Sequence, residues 1–268
     1  MPAPASPHAT RRAVLAAALA GPLAMLAGQD HAAAQTGEDL LRAGAEAMAA
    51  VQSFHFALTT PVGRTSLLNA LTLRGVEGDV LRPDRFRARI DAAAAGLLNL
   101  SIEVIGVGGL LWISDPRTGG ETWIEAGSGP GDGASDGASD GASTSDAVAL
   151  LANPDLLFVA ALAVLSAPTA GPDGAIDGEP VRRVDGIVDL QALADAAGSS
   201  GQSSLPPDLI PAPLPASIWF DAASRPRRIE LEGPIFPGEE PGVLRRLDLT
   251  RFDEPVTIEP PAAGTPAS

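Results

Sequence analysis

Phe54, Phe56 and Leu58 alternate with His55, Ala57 and Thr59, a period of two that suits an extended strand with one apolar and one wet side. The period returns in Phe86, Ala88 and Ile90 against Arg85, Arg87 and Arg89, and again in Leu98, Leu100, Ile102 and Val104 against Asn99, Ser101 and Glu103. A chain that repeats this pattern must set strands side by side so that their apolar sides merge into one buried face. Further strands are expected at Leu110–Ser114, Glu121–Ala126, Pro180–Val188, Ala216–Asp221, Arg227–Glu232 and Val243–Phe252, with a short edge at Val256–Ile258. Helical spacing is confined to fewer places. After Gly37-Glu38-Asp39, the residues Leu40, Leu41, Ala45, Met48 and Val51 recur at three- and four-residue steps. Asp146 can cap a short helix through Leu151, and Asn153-Pro154 opens another that runs from Pro154 to about Ser166 and is apolar nearly all round. Asp189 caps a third, ending at Ala197 before Gly198, and Gly198–Pro215 is a Ser- and Pro-rich irregular loop. About ten antiparallel strands with three or four helices predict an α+β domain, a strongly curved antiparallel sheet with helices gathered on one face.

The ends and one internal segment stand apart from this domain. Arg11-Arg12 precede an apolar run from Ala13 to Ala27, and Ala32-Ala33-Ala34 lie before Gln35. Charge, apolar run and small-residue cleavage site together predict an export signal over 1–34, twin-arginine-like in Thr10-Arg11-Arg12-Ala13-Val14-Leu15 although Sec export fits as well. The run is too short and too interrupted by Gly21-Pro22 to span a bilayer comfortably. The mature domain is expected over 35–260, followed by a frayed tail at 261–268. Within it, 127–145 holds Asp-Gly-Ala-Ser three times in succession, at 132, 136 and 140, and is expected to be a flexible insertion because so little of it can be buried.

The 18 basic residues are all arginine and face 33 acidic ones, for a net charge of −15; loss of Arg11, Arg12 and Asp30 with the leader leaves −16. Nucleic acid is excluded as a partner, since a phosphate backbone must be met by clustered positive charge. With no cysteine there is no disulfide, no thiolate metal site, no cysteine nucleophile and no lipid-modified cysteine. His55 is the one histidine beyond the leader, so neither a Ser-His-Asp triad nor an imidazole zinc site can be assembled. A P-loop needs a lysine that the chain lacks. Gly106-Val107-Gly108-Gly109 falls between two strands and is a turn rather than a phosphate cradle. A carboxylate pair of the glycosidase kind is not testable among so many acids, but the sugar-stacking aromatics are few: no tyrosine, and tryptophan only at 112, 123 and 219. The expected class is a non-enzymatic binder that needs no cofactor and no metal.

The order of several segments carries a resemblance. Ala50-Val51-Gln52-Ser53-Phe54-His55-Phe56, Glu77-Gly78-Asp79-Val80-Leu81-Arg82-Pro83-Asp84, the strand through Ile105, Trp112-Ile113-Ser114-Asp115-Pro116-Arg117-Thr118-Gly119 with Trp123 beyond it, Asn153-Pro154, the run from Asp177 to Gly186, and Ile218-Trp219-Phe220-Asp221 together resemble the LppX/LprA/LprF/LprG family of envelope proteins over about residues 38–260. The resemblance implies a half-barrel of the LolA/LolB kind, with helices on the concave face of the sheet enclosing a hydrophobic cavity. It also implies binding and transport of acylated lipids or glycolipids, with a membrane transporter or acceptor protein as a further partner and transient membrane contact. Members usually carry an N-terminal cysteine; its absence here implies a soluble extracytoplasmic form. The alternative is an envelope protein-interaction or chaperone module with a filled core. Burial of a methylene gains about 0.8 kcal/mol, so a C16 chain amounts to roughly 11 kcal/mol of transfer free energy, and such a site needs little polar signature. The expected cavity-lining residues are Phe54, Phe56, Phe86, Ile90, Leu100, Ile102, Val104, Leu157, Phe158, Leu162, Leu165, Trp219 and Ile229.

Overall fold

The computed structural model describes residues 36–67, 71–94, 98–126, 164–192 and 212–262. The expected leader, insertion and tail end, the helix at Asp146–Leu151, most of the helix opened by Pro154 and the loop from Gly198 up to residue 211 therefore lie outside the described residues.

Helix α1 (Gly37–Ala50) starts at Thr36, whose hydroxyl accepts from the Asp39 N–H while the Asp39 carboxylate accepts from the Thr36 backbone, a reciprocal capping box. Its buried stripe is Gly37, Leu40, Leu41, Gly44 and Met48. Ala45, expected on that stripe, is exposed, and Gly44 takes its place. The reason is contact distance: a Cβ at Gly44 would stand 2.3 Å from Cε1 of Phe220, so only glycine lets the helix lie this close to the sheet.

The strands are β1 (Ser53–Val62), β2 (Thr65–Leu67), β3 (Leu71–Leu81), β4 (Arg85–Ala94), β5 (Leu98–Val107), β6 (Leu110–Ser114), β7 (Trp123–Ala126), β8 (Leu165–Ala170), β9 (Gly174–Ile176), β10 (Glu179–Asp189), β11 (Pro213–Phe220), β12 (Pro226–Glu232) and β13 (Leu244–Thr250). Among the described residues they make one open antiparallel sheet of thirteen strands in the order β7-β6-β5-β4-β3-β1-β13-β12-β11-β10-β8, with β2 on β3 and β9 on β10. Two meanders are thus joined where β1 pairs with β13, from His55 opposite Thr250 to Val62 opposite Leu244.

The expectation of about ten strands is corrected to thirteen. In β3 the register shifts between Leu73 and Gly75, so inward Leu73 is followed by inward Val76 and Val80 and the period of two breaks. Strand β8 takes Leu165 and Ser166, expected at the end of a helix, and contains Pro168, which suits its place at the margin of the sheet. Strand β11 begins at Pro213, inside the expected loop, and buries Leu214. Val256–Ile258, expected as an edge strand, pairs with no strand among the described residues; Ile258 is buried and its carbonyl accepts from Arg85 at 3.2 Å.

Candidate functional site: an apolar seam in the sheet

Strand alternation and register align the apolar side chains into rows across one face. One row runs Ile102, Ile90, Val76, Leu58, Leu247, Ile229, Ile218 and Val184, each opposite the next. The row is not uniformly covered. Ile90, Val76, Ile218 and Val184 are buried, whereas Leu58, Leu247 and Ile229 between them are only half-buried. The core is divided here, with Leu58 and Leu247 packed half-buried against the first of two clusters. One buried cluster gathers Met48, Phe54, Phe56, Val76, Val80, Ile90, Val104 and Leu249. The other gathers Leu40, Leu41, Leu165, Val184, Leu214, Ile218 and Phe220. Helix α1 contributes to both, and Ile229 packs against both from the seam between them. A half-covered apolar strip in mid-sheet can accept an apolar ligand with no chemistry beyond transfer from water.

At one end the seam turns polar. Arg245 shares the inward side of β13 with Leu247 and Leu249, lies opposite Leu231 and is 7% exposed. Its Nη1 donates to the Gly233 carbonyl at 2.8 Å, and its Nη2 to Glu239 at 2.5 Å. The Glu239 carboxylate also accepts from the backbone N–H of Ser66, Ile235 and Phe236 at 2.8 to 3.0 Å. Burial pushes the Glu239 carboxyl up, but the Arg245 guanidinium and these three N–H groups outweigh it and hold the group below its ordinary value of 4.5.

The opposite face is a lattice of charge. Arg87 meets Glu103 at 2.8 Å, Arg228 meets Asp248 at 2.6 Å, Arg246 meets Glu230 at 2.8 Å, and Arg183 meets Asp185 at 2.6 Å. His55 lies here, its Nδ1 2.9 Å from Asp79, with Arg251 donating to the same carboxylate. An open groove of about 470 Å³ on this side is lined by Arg87, Ile105, Glu121, Trp123, Thr257, Glu259, Pro260, Pro261 and Ala262, a mix of charged and apolar residues.

Of the thirteen expected lining residues, Phe54, Phe56, Ile90 and Val104 are buried in the first cluster, and Phe86 and Ile102 are half-buried against it. Leu100 is half-buried, opposite Ala92. Leu165 is buried in the second cluster from a strand rather than a helix. Ile229 stands at the seam. Trp219 requires correction: it alternates with inward Ile218 and Phe220 and so lies on the charged face, where Arg183 stacks over its ring at 5.0 Å. Leu157, Phe158 and Leu162 lie outside the described residues. Leu58 and Leu247 were missed, although the Phe54-Phe56-Leu58 alternation already placed Leu58 on the apolar side. Arg245 was legible only as a charge on a strand.

Among the described residues no group of acids and histidines could hold a metal ion, and no helix is long and apolar enough to cross a membrane. No family profile matches the chain, and no match to it was found among curated protein sequences. Solved structures do match. LprF from Mycobacterium bovis superposes with a TM-score of 0.55 at 18% identity, over 84% of this chain and 97% of that one. The chain has the LprF fold. The lipoprotein LppX of Mycobacterium tuberculosis aligns at 16% identity with a TM-score of 0.48, over 83% of this chain and 98% of that one. Likeness to LprF at this identity concerns architecture, so the chemistry must come from the residues.

Proposed function

We propose that this chain is a non-enzymatic lipid-binding protein of the cell envelope that holds acyl chains against the apolar face of its sheet along Leu58, Leu247 and Ile229. The observation that carries the proposal is the run of half-buried Leu58, Leu247 and Ile229 in mid-sheet, packed against the first buried cluster and reaching the second at Ile229. The LprF fold and the resemblance to envelope lipid-binding proteins support it. In this reading Phe86, Ile102 and Leu100 lie at the flank of the strip, and the expected lining residues Leu157, Phe158 and Leu162 belong to the same apolar site. The protein works after export and removal of residues 1–34, soluble beyond the membrane, and passes its lipid to an acceptor protein or membrane.

A fluorescent fatty-acyl probe tests this directly. Leu58→Asp puts a charge in the middle of the seam at a half-buried position, and probe affinity should fall at least about tenfold while far-ultraviolet circular dichroism still reports the sheet. Unchanged probe binding by the folded variant would place the ligand elsewhere. Failure of the wild type to bind any acyl probe would favour a protein-interaction module with a filled core.

A further inference from the structure

On the outer face of β5, Ser101 and Glu103 are followed by Ile105, which is 4% exposed although its neighbours on that face are charged or polar. Beside it runs the segment that follows β13: Thr257 and Glu259 line the same groove as Ile105, and Ile258 between them is buried. That segment is fastened along its length. The Asp253 carboxylate accepts from the Gln52 N–H at 2.7 Å, and the Asp253 N–H donates to the Ser53 carbonyl at 2.8 Å. The Ser53 hydroxyl donates to the Glu254 carbonyl at 2.8 Å, and Arg85 donates to the Ile258 carbonyl at 3.2 Å. One wall of the groove is thus a tied strap, and the other is the outer side of β4, β5 and the start of β7. At about 470 Å³ the groove has the volume of a small-ligand site.

The polar groups along it are of both signs and largely uncommitted. Arg87 spends Nη2 on Glu103 at 2.8 Å, and its other N–H groups make no hydrogen bond among the described residues. Glu121, Glu259 and the Thr257 hydroxyl have no hydrogen-bond partner there either. An anionic ligand would meet two carboxylates, and a cationic one would meet the Arg87 guanidinium, so neither sign of charge is favoured. A hydroxyl both donates and accepts and can use all of these groups. Trp123, half-buried in the same wall, adds a flat apolar surface on which the C–H face of a pyranose ring can stack. We propose that this groove binds an uncharged saccharide, its hydroxyls shared among Arg87, Glu121 and Glu259 and one ring set against Trp123. The site lies on the face of the sheet opposite Leu58, Leu247 and Ile229, so it stands independently of the lipid-binding reading.

Isothermal titration calorimetry of the mature protein with four trisaccharides tests both the charge and the place: maltotriose and triacetylchitotriose, which are neutral, trigalacturonic acid, and chitotriose at a pH where its amines are protonated. At least one neutral trisaccharide should bind, about fivefold tighter than either charged one. Trp123→Ala, with its sheet verified by far-ultraviolet circular dichroism, should weaken that binding at least about tenfold. A saturating fatty-acyl probe should not displace the saccharide, because the two sites lie on opposite faces. Binding of none of the four overturns the proposal, and a charged trisaccharide that binds as tightly as the best neutral one overturns the ligand class. Unchanged binding by folded Trp123→Ala, or displacement by the acyl probe, overturns the location. If Trp123→Ala does not fold, the charge series and the displacement measurement on the wild type still decide. None of these outcomes bears on whether the chain binds lipid.

Discussion

Glu239 is a buried acid kept ionised by its surroundings, and that makes it testable. Because its folded-state carboxyl lies below the ordinary 4.5, the stability it contributes is complete above that value and is lost as pH falls through the folded-state pKa. Glu239→Gln should cost about 3 kcal/mol at neutral pH, since it leaves the Arg245 charge buried without its partner, and should flatten the acid limb of a stability-against-pH curve measured by urea unfolding. An unchanged acid limb would mean that other carboxylates dominate. Gly78 is tested by size rather than charge: a Cβ there would stand 2.2 Å from the Arg87 carbonyl oxygen and 2.9 Å from Phe56. Gly78→Ala should destabilise by about 2 kcal/mol in the same assay. At this scale the sequence was legible where side chains alternate. Arg85, Arg87 and Arg89 are all exposed opposite Ala88 and Ile90, as their spacing predicts. Trp219 was not legible, because its apolar ring suggested burial inward, whereas the phase set by Ile218 and Phe220 turns it outward to Arg183.

Elements were legible to the extent that their pattern was unbroken. Strands β4 and β5, and β1 as far as Thr59, keep a period of two and were placed from it. Strand β3 is as long as any of them, but its bulge at Leu73 and Gly75 shifts the phase midway, and Gly75 and Gly78 supply no side chains to mark a face. In β11, prolines at 213 and 215 mimic a loop, yet Ile187 and Asp189 of β10 lie opposite them. Helix α1 was found from its apolar stripe and the Gly37-Glu38-Asp39 that opens it, and its role was not: it belongs to both halves of the core, Leu40 and Leu41 in one and Met48 in the other. Leu40→Ala should therefore cost about 3 kcal/mol by chemical denaturation, as for a fully packed core leucine. A loss below 1 kcal/mol would mean that the helix rests on the sheet without holding it.

For the whole molecule, the joining of β1 to β13 places the first and last strands at the centre of the sheet, and the half-buried leucines 58 and 247 face each other across that junction. The seam is thus a property of topology. Neither Leu58 nor Leu247 is unusual in its own stretch of sequence, and only the pairing of segments almost two hundred residues apart brings them together. Composition indicated an apolar binder without catalytic equipment, but not where on the sheet a ligand would lie. The most direct measurement is native mass spectrometry of the mature protein as purified, followed by organic extraction and lipid analysis. Lipid binding along the seam predicts a stoichiometric lipid adduct that extraction removes and that the bare protein regains from membrane extract. A protein that is bare as purified, and stays bare in membrane extract, would contradict it.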